Sequence, residues 1–448
     1  MSKHFTIFGA GLAGTLMAVY LARQGRSVTL YERRADPRAA GAERGRSINL
    51  ALSTRGIEAH RRVGLADEIL AEAIPMRGRM IHGRDGSTNF QPYSKDPRNA
   101  INSISRAGLN IALLNAAERE PGVTVRFGQR CLGMDFQSGR AEVLDIASGA
   151  VGHIDTDTVI AADGAFSGVR SSMQKLDRFD YSQSYLEHGY KELTIPPAVA
   201  ASVGALHQIE KHALHIWPRG TYMMIALPNQ DGSFTCTLFW PFHGPNSFEA
   251  LRTQDDILSF FRQEFPDSIA LIPDLVDDFQ HNPTSSLVTV RCWPWHQGGR
   301  AVLIGDAAHA VVPFYGQGMN ASFEDCSVLA DAIQQHEGDL EAAYRAYGKS
   351  RKPNTDALAQ LAYDNFIEMR DKTATPAFRR KKKLDHALER WLPGRYISLY
   401  EMVSFTTIPY AQALARARRQ DTIVRRSIVV LTLLVVFSII ALAFAIAS

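Results

Sequence analysis

Apolar positions along the chain fall into three patterns, and each predicts a different kind of element. Short continuous apolar runs closed by a glycine or an acid predict fully buried strands. His4–Phe8, Ser27–Tyr31, Val159–Ala162 and Ala301–Ile304 are of this kind, and a helix is expected after the first, third and fourth. Alternation of apolar and polar residues predicts half-exposed strands around Arg79 and through Leu214, Met223, Ile225, Leu227 and Phe239. Helical spacing is read at Leu109, Leu113 and Leu114, and again at Phe323, Val328, Leu329 and Ile333. Residues 346–425 also look helical. The expected class is α/β.

One stretch fits none of these patterns. Ser427–Ser448 contains no charged residue. A helix of about 20 apolar residues crosses a bilayer, so one transmembrane helix is predicted over 427–448. A buried core helix is the plainer alternative, but such helices are usually shorter and keep a polar edge. Arg416, Arg418, Arg419, Arg425 and Arg426 precede it. The positive-inside tendency then puts the rest of the chain on the cytoplasmic side. No charged-then-apolar leader is evident at the amino terminus, so no secretory signal is expected. The picture is a cytosolic body on a single-pass C-terminal tail anchor.

Composition narrows the field further. A chain of 448 residues can hold two or three domains and a large core. Lys and Arg number 49 against 46 Asp and Glu, a net charge of +3, which argues against nucleic-acid binding through bulk charge. Cys131, Cys236, Cys292 and Cys326 lie far apart with no CxxC spacing. A disulfide framework or structural zinc site is therefore not expected, no other metal motif stands out, and a reducing compartment fits.

The candidate chemistry begins at Gly9-Ala10-Gly11-Leu12-Ala13-Gly14, between the first apolar run and an amphipathic segment ending at Arg23. Gly9 permits the tight turn, Gly11 lets backbone approach a pyrophosphate, and Gly14 allows close helix–strand packing. The free N–H groups of the helix start favour phosphate. Glu32 follows the next strand, where a carboxylate reaches ribose hydroxyls. Strand, glycine turn, helix, strand and acid together predict a Rossmann-type dinucleotide site, without separating FAD from NAD. Val159–Arg170 contains Asp163-Gly164, and Ala301–His309 contains Gly305-Asp306; alone, each is an ordinary turn. Beyond them, Val312–Asn320 is a Pro- and Gly-containing loop at a helix start, a geometry that stabilises negative charge. His309 invites a general-base role, but a packing role is preferred.

In this order and spacing, the three motifs resemble those of the single-component, FAD-dependent aromatic hydroxylases. Further segments are similar to those of one branch, the kynurenine 3-monooxygenases. They are Arg44–Leu52, Pro75–His82, Gln91–Tyr93, His188–Leu193, Leu214–Pro218, Phe234–Phe239, Asn365–Met369 and Tyr400–Phe405. The likeness runs from about residue 4 to residue 413, and the tail resembles that of membrane-anchored members.

The resemblance implies FAD as cofactor, NADPH as reductant and O2 as co-substrate. It implies hydroxylation of L-kynurenine to 3-hydroxy-L-kynurenine through a flavin C4a-hydroperoxide, with no catalytic side chain beyond the flavin. For FAD it implies Gly9, Gly11, Ala13, Gly14, Tyr31, Glu32, Arg33, Arg34, Ala51, Arg106, Cys131, Asp163, Asp306, Gly318, Met319 and Asn320. Cys131 would act through its backbone. For substrate it implies Arg79 on the carboxylate, with Tyr93, Asn365 and Tyr400 as polar partners. Leu214, Met223, Ile225, Leu227, Phe239 and Pro313 would form the aromatic side. Taken singly, Arg79 reads as a surface arginine and the apolar set as core. Tyr315 is left open as a substrate contact. Arginine suits the carboxylate because its fork binds bidentately.

The expected organisation is a Rossmann-type FAD-binding domain from 1–75, 103–180 and 290–345. An antiparallel substrate sheet is expected from 76–102 and 181–289, a helical region over 346–425, and the transmembrane helix. The basic run Arg379–Lys383 reads as a solvated helix face or a contact to anionic headgroups. Alternatives are hydroxylation of another aromatic acid, a membrane-bound flavin epoxidase or reductase, and flavin binding without catalysis.

Overall fold

The four continuous apolar runs become neighbours in a six-stranded sheet. Its order is His296–Gln297, Ala301–Leu303, Thr158–Ala161, Phe5–Phe8, Val28–Tyr31 and Val123–Arg126, parallel except for the first pair. Phe5 lies opposite Val28 on one side and Thr158 on the other. All four residues of Phe5–Phe8 are buried, which explains the unbroken apolar run. The computed structural model describes residues 3–39, 49–198, 206–368, 384–385, 387–392 and 394–447. The expectations for Arg44–Ile48, Met369 and the Arg379–Lys383 run lie outside these residues.

Helices Leu12–Arg23 and Gly318–Gln335 pack on each other, and Arg106–Arg119 packs against the first of them. The first is almost wholly buried from Gly14 to Leu21. Two small three-stranded sheets complete this body. One holds Asn49–Leu52, Ile101–Ser105 and Ile74–Met76; the other is a meander through Gln129–Asp135, Arg140–Asp145 and Val151–Asp155.

The second large sheet has seven strands, in the order Ser285–Trp293, Asp180–Ile195, Phe234–Pro241, Met223–Pro228, Ala213–Pro218, Gly78–His82 and Thr88–Pro92. It is antiparallel except where Ala213–Pro218 meets Gly78–His82. Alternation sorts its residues between two faces. Met224 and Ala226 join Trp217, Trp240, Phe261 and Phe265 under helices Gln254–Glu264 and Leu275–His281. Met223 and Ile225 face the other way, toward Val312, Phe314 and Phe366.

Helix Leu340–Ile367 runs along Gly318–Gln335, and a short helix, Leu399–Phe405, follows. The last helix differs from the sequence-based expectation of a helical region ending at 425 and a separate span from 427. It is one helix of 38 residues, Tyr410–Ala447, about 57 Å long at 1.5 Å per residue. Arginine is a good helix former and no Gly or Pro intervenes, so the change in composition brings no change in conformation. Tyr410 and Ala413 are fully buried, whereas Ile428 to Ile440 are exposed. An 18-residue stretch within Tyr410–Ala441 has a mean hydropathy of 2.3, making this helix a candidate membrane anchor.

Candidate active site

A cavity of about 430 Å³ lies between the two large sheets, within the range of small-molecule sites. One end is built by the glycine turn. Gly9 has φ +96°, and a Cβ there would stand 2.4 Å from the Ala162 carbonyl oxygen. A Cβ on Gly14 would stand 1.9 Å from the Gly9 oxygen. These two glycines let strand and helix close up behind the cavity wall. At Gly11 a Cβ would meet nothing within 4 Å, and Gly11, Leu12 and Ala13 line the cavity. No side chain caps the helix that starts there, so its N–H groups open toward the cavity end. The Glu32 carboxylate, just beyond the next strand, accepts from Ala10 N at 2.9 Å and Arg34 N at 3.0 Å. Tyr31 is half-buried at the strand end, and Arg33 and Arg34 are exposed beside it.

The two acid turns sit on neighbouring strand ends. Asp163 is half-buried; one carboxylate oxygen accepts from Gly168 N at 2.8 Å and the other, Oδ1, is buried without a partner. Burial pushes its carboxyl above the usual range. Gly164 and Ala165 line the cavity. Asp306 lines it too and is exposed there, after Gly305 at φ +55°. Gly305 N donates to Asp325 Oδ2 at 3.0 Å, and His309 Nε2 meets the same oxygen at 2.5 Å. Arg351 Nε donates to Asp325 Oδ1 at 2.7 Å. His309 is buried in this ion-paired cluster, the packing role preferred above.

Pro313–Tyr315 forms a short turn, Gly316 takes φ +65°, and helix Gly318–Gln335 begins at the cavity edge with Gly318 and Met319. Asn320 is fully buried behind this loop. Its Nδ2 donates to Ala51 O and Gly316 O, both at 2.9 Å, and its Oδ1 accepts from Ser53 N at 2.9 Å. Ala51 and Arg106 line the cavity; Cys131 is buried outside its lining, and burial raises its thiol pKa.

All ten residues expected at the substrate end line this same cavity: Arg79, Tyr93, Asn365, Tyr400, Leu214, Met223, Ile225, Leu227, Phe239 and Pro313. Tyr93 and Tyr400 stack with centroids 5.4 Å apart. The Arg79 guanidinium lies over both rings, 5.6 Å and 5.0 Å from their centroids, and its Nε has no partner. Burial raises both tyrosine pKa values, so their hydroxyls stay neutral donors. Asn365 Nδ2 donates to the Phe314 carbonyl at 2.6 Å, tying helix Leu340–Ile367 to the loop. Arg77, on the same segment, is exposed and outside the cavity lining. Tyr315 lines the cavity 6.2 Å from the Tyr400 ring.

Sequence reasoning passed over two groups. Thr237 and Tyr190 line the cavity from the strands. Thr237 was open to prediction, because alternation places it on the face of Phe239. The second group links the terminal helix to the loop. The Tyr410 hydroxyl donates to Gln317 Oε1 at 3.0 Å, and Gln317 Nε2 donates to Ser53 Oγ at 3.2 Å. Arg55 stacks 4.0 Å from the Tyr410 ring centroid and pairs with Glu324. No sequence motif signals this link.

An open glycine turn, an unpaired buried carboxylate oxygen and a glycine loop at a helix start fit FAD; the fold and site define an FAD-binding flavoprotein. A family model described as an FAD binding domain matches residues 4–362. The chain is 50% identical over 419 residues to kynurenine 3-monooxygenase of Myxococcus xanthus, covering 94% of this chain and 89% of the relative. It is 48% identical over 425 residues to the enzyme of that name from Dictyostelium discoideum, covering 92% and 90%. The chain belongs to the kynurenine 3-monooxygenase family. The fold is also that of 2-methyl-3-hydroxypyridine-5-carboxylic acid oxygenase, with a TM-score of 0.66 at 21% identity over 84% of this chain and 95% of that one. A p-nitrophenol 4-monooxygenase from Pseudomonas putida gives 0.66 at 18% identity over 86% and 94%.

Proposed function

We propose that the protein hydroxylates L-kynurenine at ring carbon 3, consuming NADPH and O2 and releasing NADP+ and water. One observation carries this reading. A single cavity joins the glycine-turn end to an apolar chamber where Arg79 keeps its Nε without a partner among the described residues. The lipid alternative fits that chamber less well, since a lipid substrate has no use for Arg79, Tyr93 and Asn365.

Gly9, Gly11, Ala13, Gly14, Tyr31, Glu32, Arg33, Arg34 and Arg106 would hold the nucleotide half of FAD. Ala51, Cys131, Asp163, Asp306, Gly318, Met319 and Asn320 would hold the rest. When bound, FAD supplies the redox chemistry that turns NADPH and O2 into a hydroxylating oxygen. The chain's own work is binding and exclusion. Arg79 takes the substrate carboxylate as a fork, and Tyr93, Tyr400 and Asn365 complete the polar end. Leu214, Met223, Ile225, Leu227, Phe239 and Pro313 hold the anilino ring and keep water from the reacting atoms. The helix start at Gly318 offers N–H groups to negative charge on the cofactor. No side chain is assigned a proton transfer.

The terminal helix anchors this body in a membrane. The arginines before the uncharged stretch put the catalytic part on the cytoplasmic side. The test is to mix purified protein, FAD, NADPH, O2 and L-kynurenine and to seek 3-hydroxykynurenine by mass. Its absence from protein that holds FAD overturns the reading.

A further inference from the structure

A second apolar surface stands where the terminal helix leaves the body. The described residues between 384 and 398 are strapped along that helix. Gln420 Nε2 donates to Ile397 O at 2.8 Å, and Ile397 N donates to Gln420 Oε1 at 3.4 Å. Arg416 Nη2 donates to the carbonyls of Gly394 and Arg395 at 3.3 and 3.5 Å. Farther along, Leu384, Asp385 and Tyr396 form a cleft with Val424, Ile428 and Val429. From Gln420 to Ile428 is about 12 Å of helix, so Leu384 lies level with the first turn of the uncharged stretch.

The same segment turns further apolar side chains outward. Trp391 is 76% exposed, Leu392 42% and Leu384 38%. Trp217, Trp240 and Trp295 are buried and Trp293 is half-buried, so Trp391 is the exposed tryptophan. A bare tryptophan gains nothing from water, but its amphipathic ring suits the boundary between headgroups and acyl chains. Exposed Arg390 and Arg395 lie next to it in the chain, and exposed Arg425 and Arg426 border the uncharged stretch. The acids close by are Asp385, Glu389 and Asp421. The first accepts from the Tyr396 hydroxyl at 2.7 Å and the second from Ser398 N at 2.9 Å.

We propose that Leu384, Trp391 and Leu392 form an interfacial collar around the terminal helix, seated in the headgroup boundary of an anionic bilayer with the flanking arginines on lipid phosphates. The inference rests on the anchor reading and adds a second contact to it. A body held at two points keeps one orientation to the membrane, where a single helix would let it swing.

The test uses the full-length FAD-loaded protein in vesicles of phosphatidylcholine with phosphatidylserine, brominated either near the headgroup or near the bilayer centre. Subtracting the emission of Trp391→Phe from wild type isolates the Trp391 signal. Seating about 5–10 Å deep predicts at least about twofold stronger quenching by the shallow bromines. It also predicts weaker quenching when phosphatidylserine is omitted. If the chain floats with vesicles but neither lipid quenches Trp391, the collar is wrong and the anchor stands. If the chain does not float, the anchor fails and the collar with it. Equal quenching with and without phosphatidylserine removes the role of the arginines.

Discussion

Arg79 shows how a residue with an ordinary sequence context acquires a specific environment. Alternation in Gly78–His82 turns it toward the cavity, and its neighbours there are two tyrosine faces. Arg79→Ala should weaken L-kynurenine binding by about 2–5 kcal/mol, since the substrate carboxylate would then be buried unpaired. Arg79→Lys should fall between, keeping the charge and losing the fork. Arg77→Ala, on the exposed neighbour, should change little. Titration of the flavin spectrum with kynurenine measures all three, and unchanged binding in Arg79→Ala removes its assigned role. A second residue bears on stability. His60 is fully buried, with Nδ1 2.6 Å from the Gly56 carbonyl, and desolvation lowers its pKa to about 4. Unfolded histidine titrates near 6.5, so between these values the unfolded chain binds the extra proton and stability falls as pH falls. The loss from this residue is about 2 kcal/mol by pH 5. His60→Gln should therefore show a smaller drop in melting temperature from pH 7 to pH 5 than wild type does. Equal drops would count against a neutral buried His60. The arginine was legible from its segment and from family likeness. His60 was not, because its burial under Phe323 depends on a helix far away in sequence.

Among the elements, the glycine-turn helix was the easiest to foresee and the terminal helix the hardest. Gly9, Gly11 and Gly14 declare themselves locally, since the turn and the close packing occur within one strand–helix unit. Tyr410 declares nothing locally: its partners Gln317 and Arg55 are distant in sequence. The helix thus does two jobs, bracing the loop at its first turn and leaving the body at its far end. A chain ending after Arg426 should lose the exposed apolar surface, stay in solution without detergent and remain yellow. A chain ending after Pro409 should leave Arg55 without its ring contact and Gln317 without its hydroxyl donor. It should lose much of its bound FAD. Flavin absorbance per mole of purified protein separates the two, and a yellow, stable chain ending at Pro409 would show that the brace is dispensable. Tyr410→Phe is the finer version: it keeps the ring over Arg55 and removes only the hydrogen bond. Its expected effect is a raised KM for kynurenine with FAD retained.

At the scale of the molecule, averages concealed what mattered. A near-neutral net charge fits an ordinary soluble enzyme, while the charge-free stretch at the end forms a candidate membrane anchor; segment-by-segment reading separates them. The cavity likewise belongs to no single part. Its walls come from the parallel-sheet body, the seven-stranded sheet and the C-terminal helices, through residues such as Ala13, Phe239 and Tyr400. A ligand there holds three parts together and binds only the folded chain, so it stabilises by about 2.7 kcal/mol at a hundredfold excess over its Kd. Stripping FAD should therefore lower the melting temperature. Kynurenine adds an order to this. The chamber proposed for it shares the loop Pro313–Gly318 with the cofactor end, so bound FAD would complete the wall that substrate meets. Kynurenine should raise the melting temperature of FAD-loaded protein and do little for stripped protein. In Arg79→Ala it should do little even with FAD present. An equal kynurenine shift with and without FAD would mean that the two ends of the cavity bind independently.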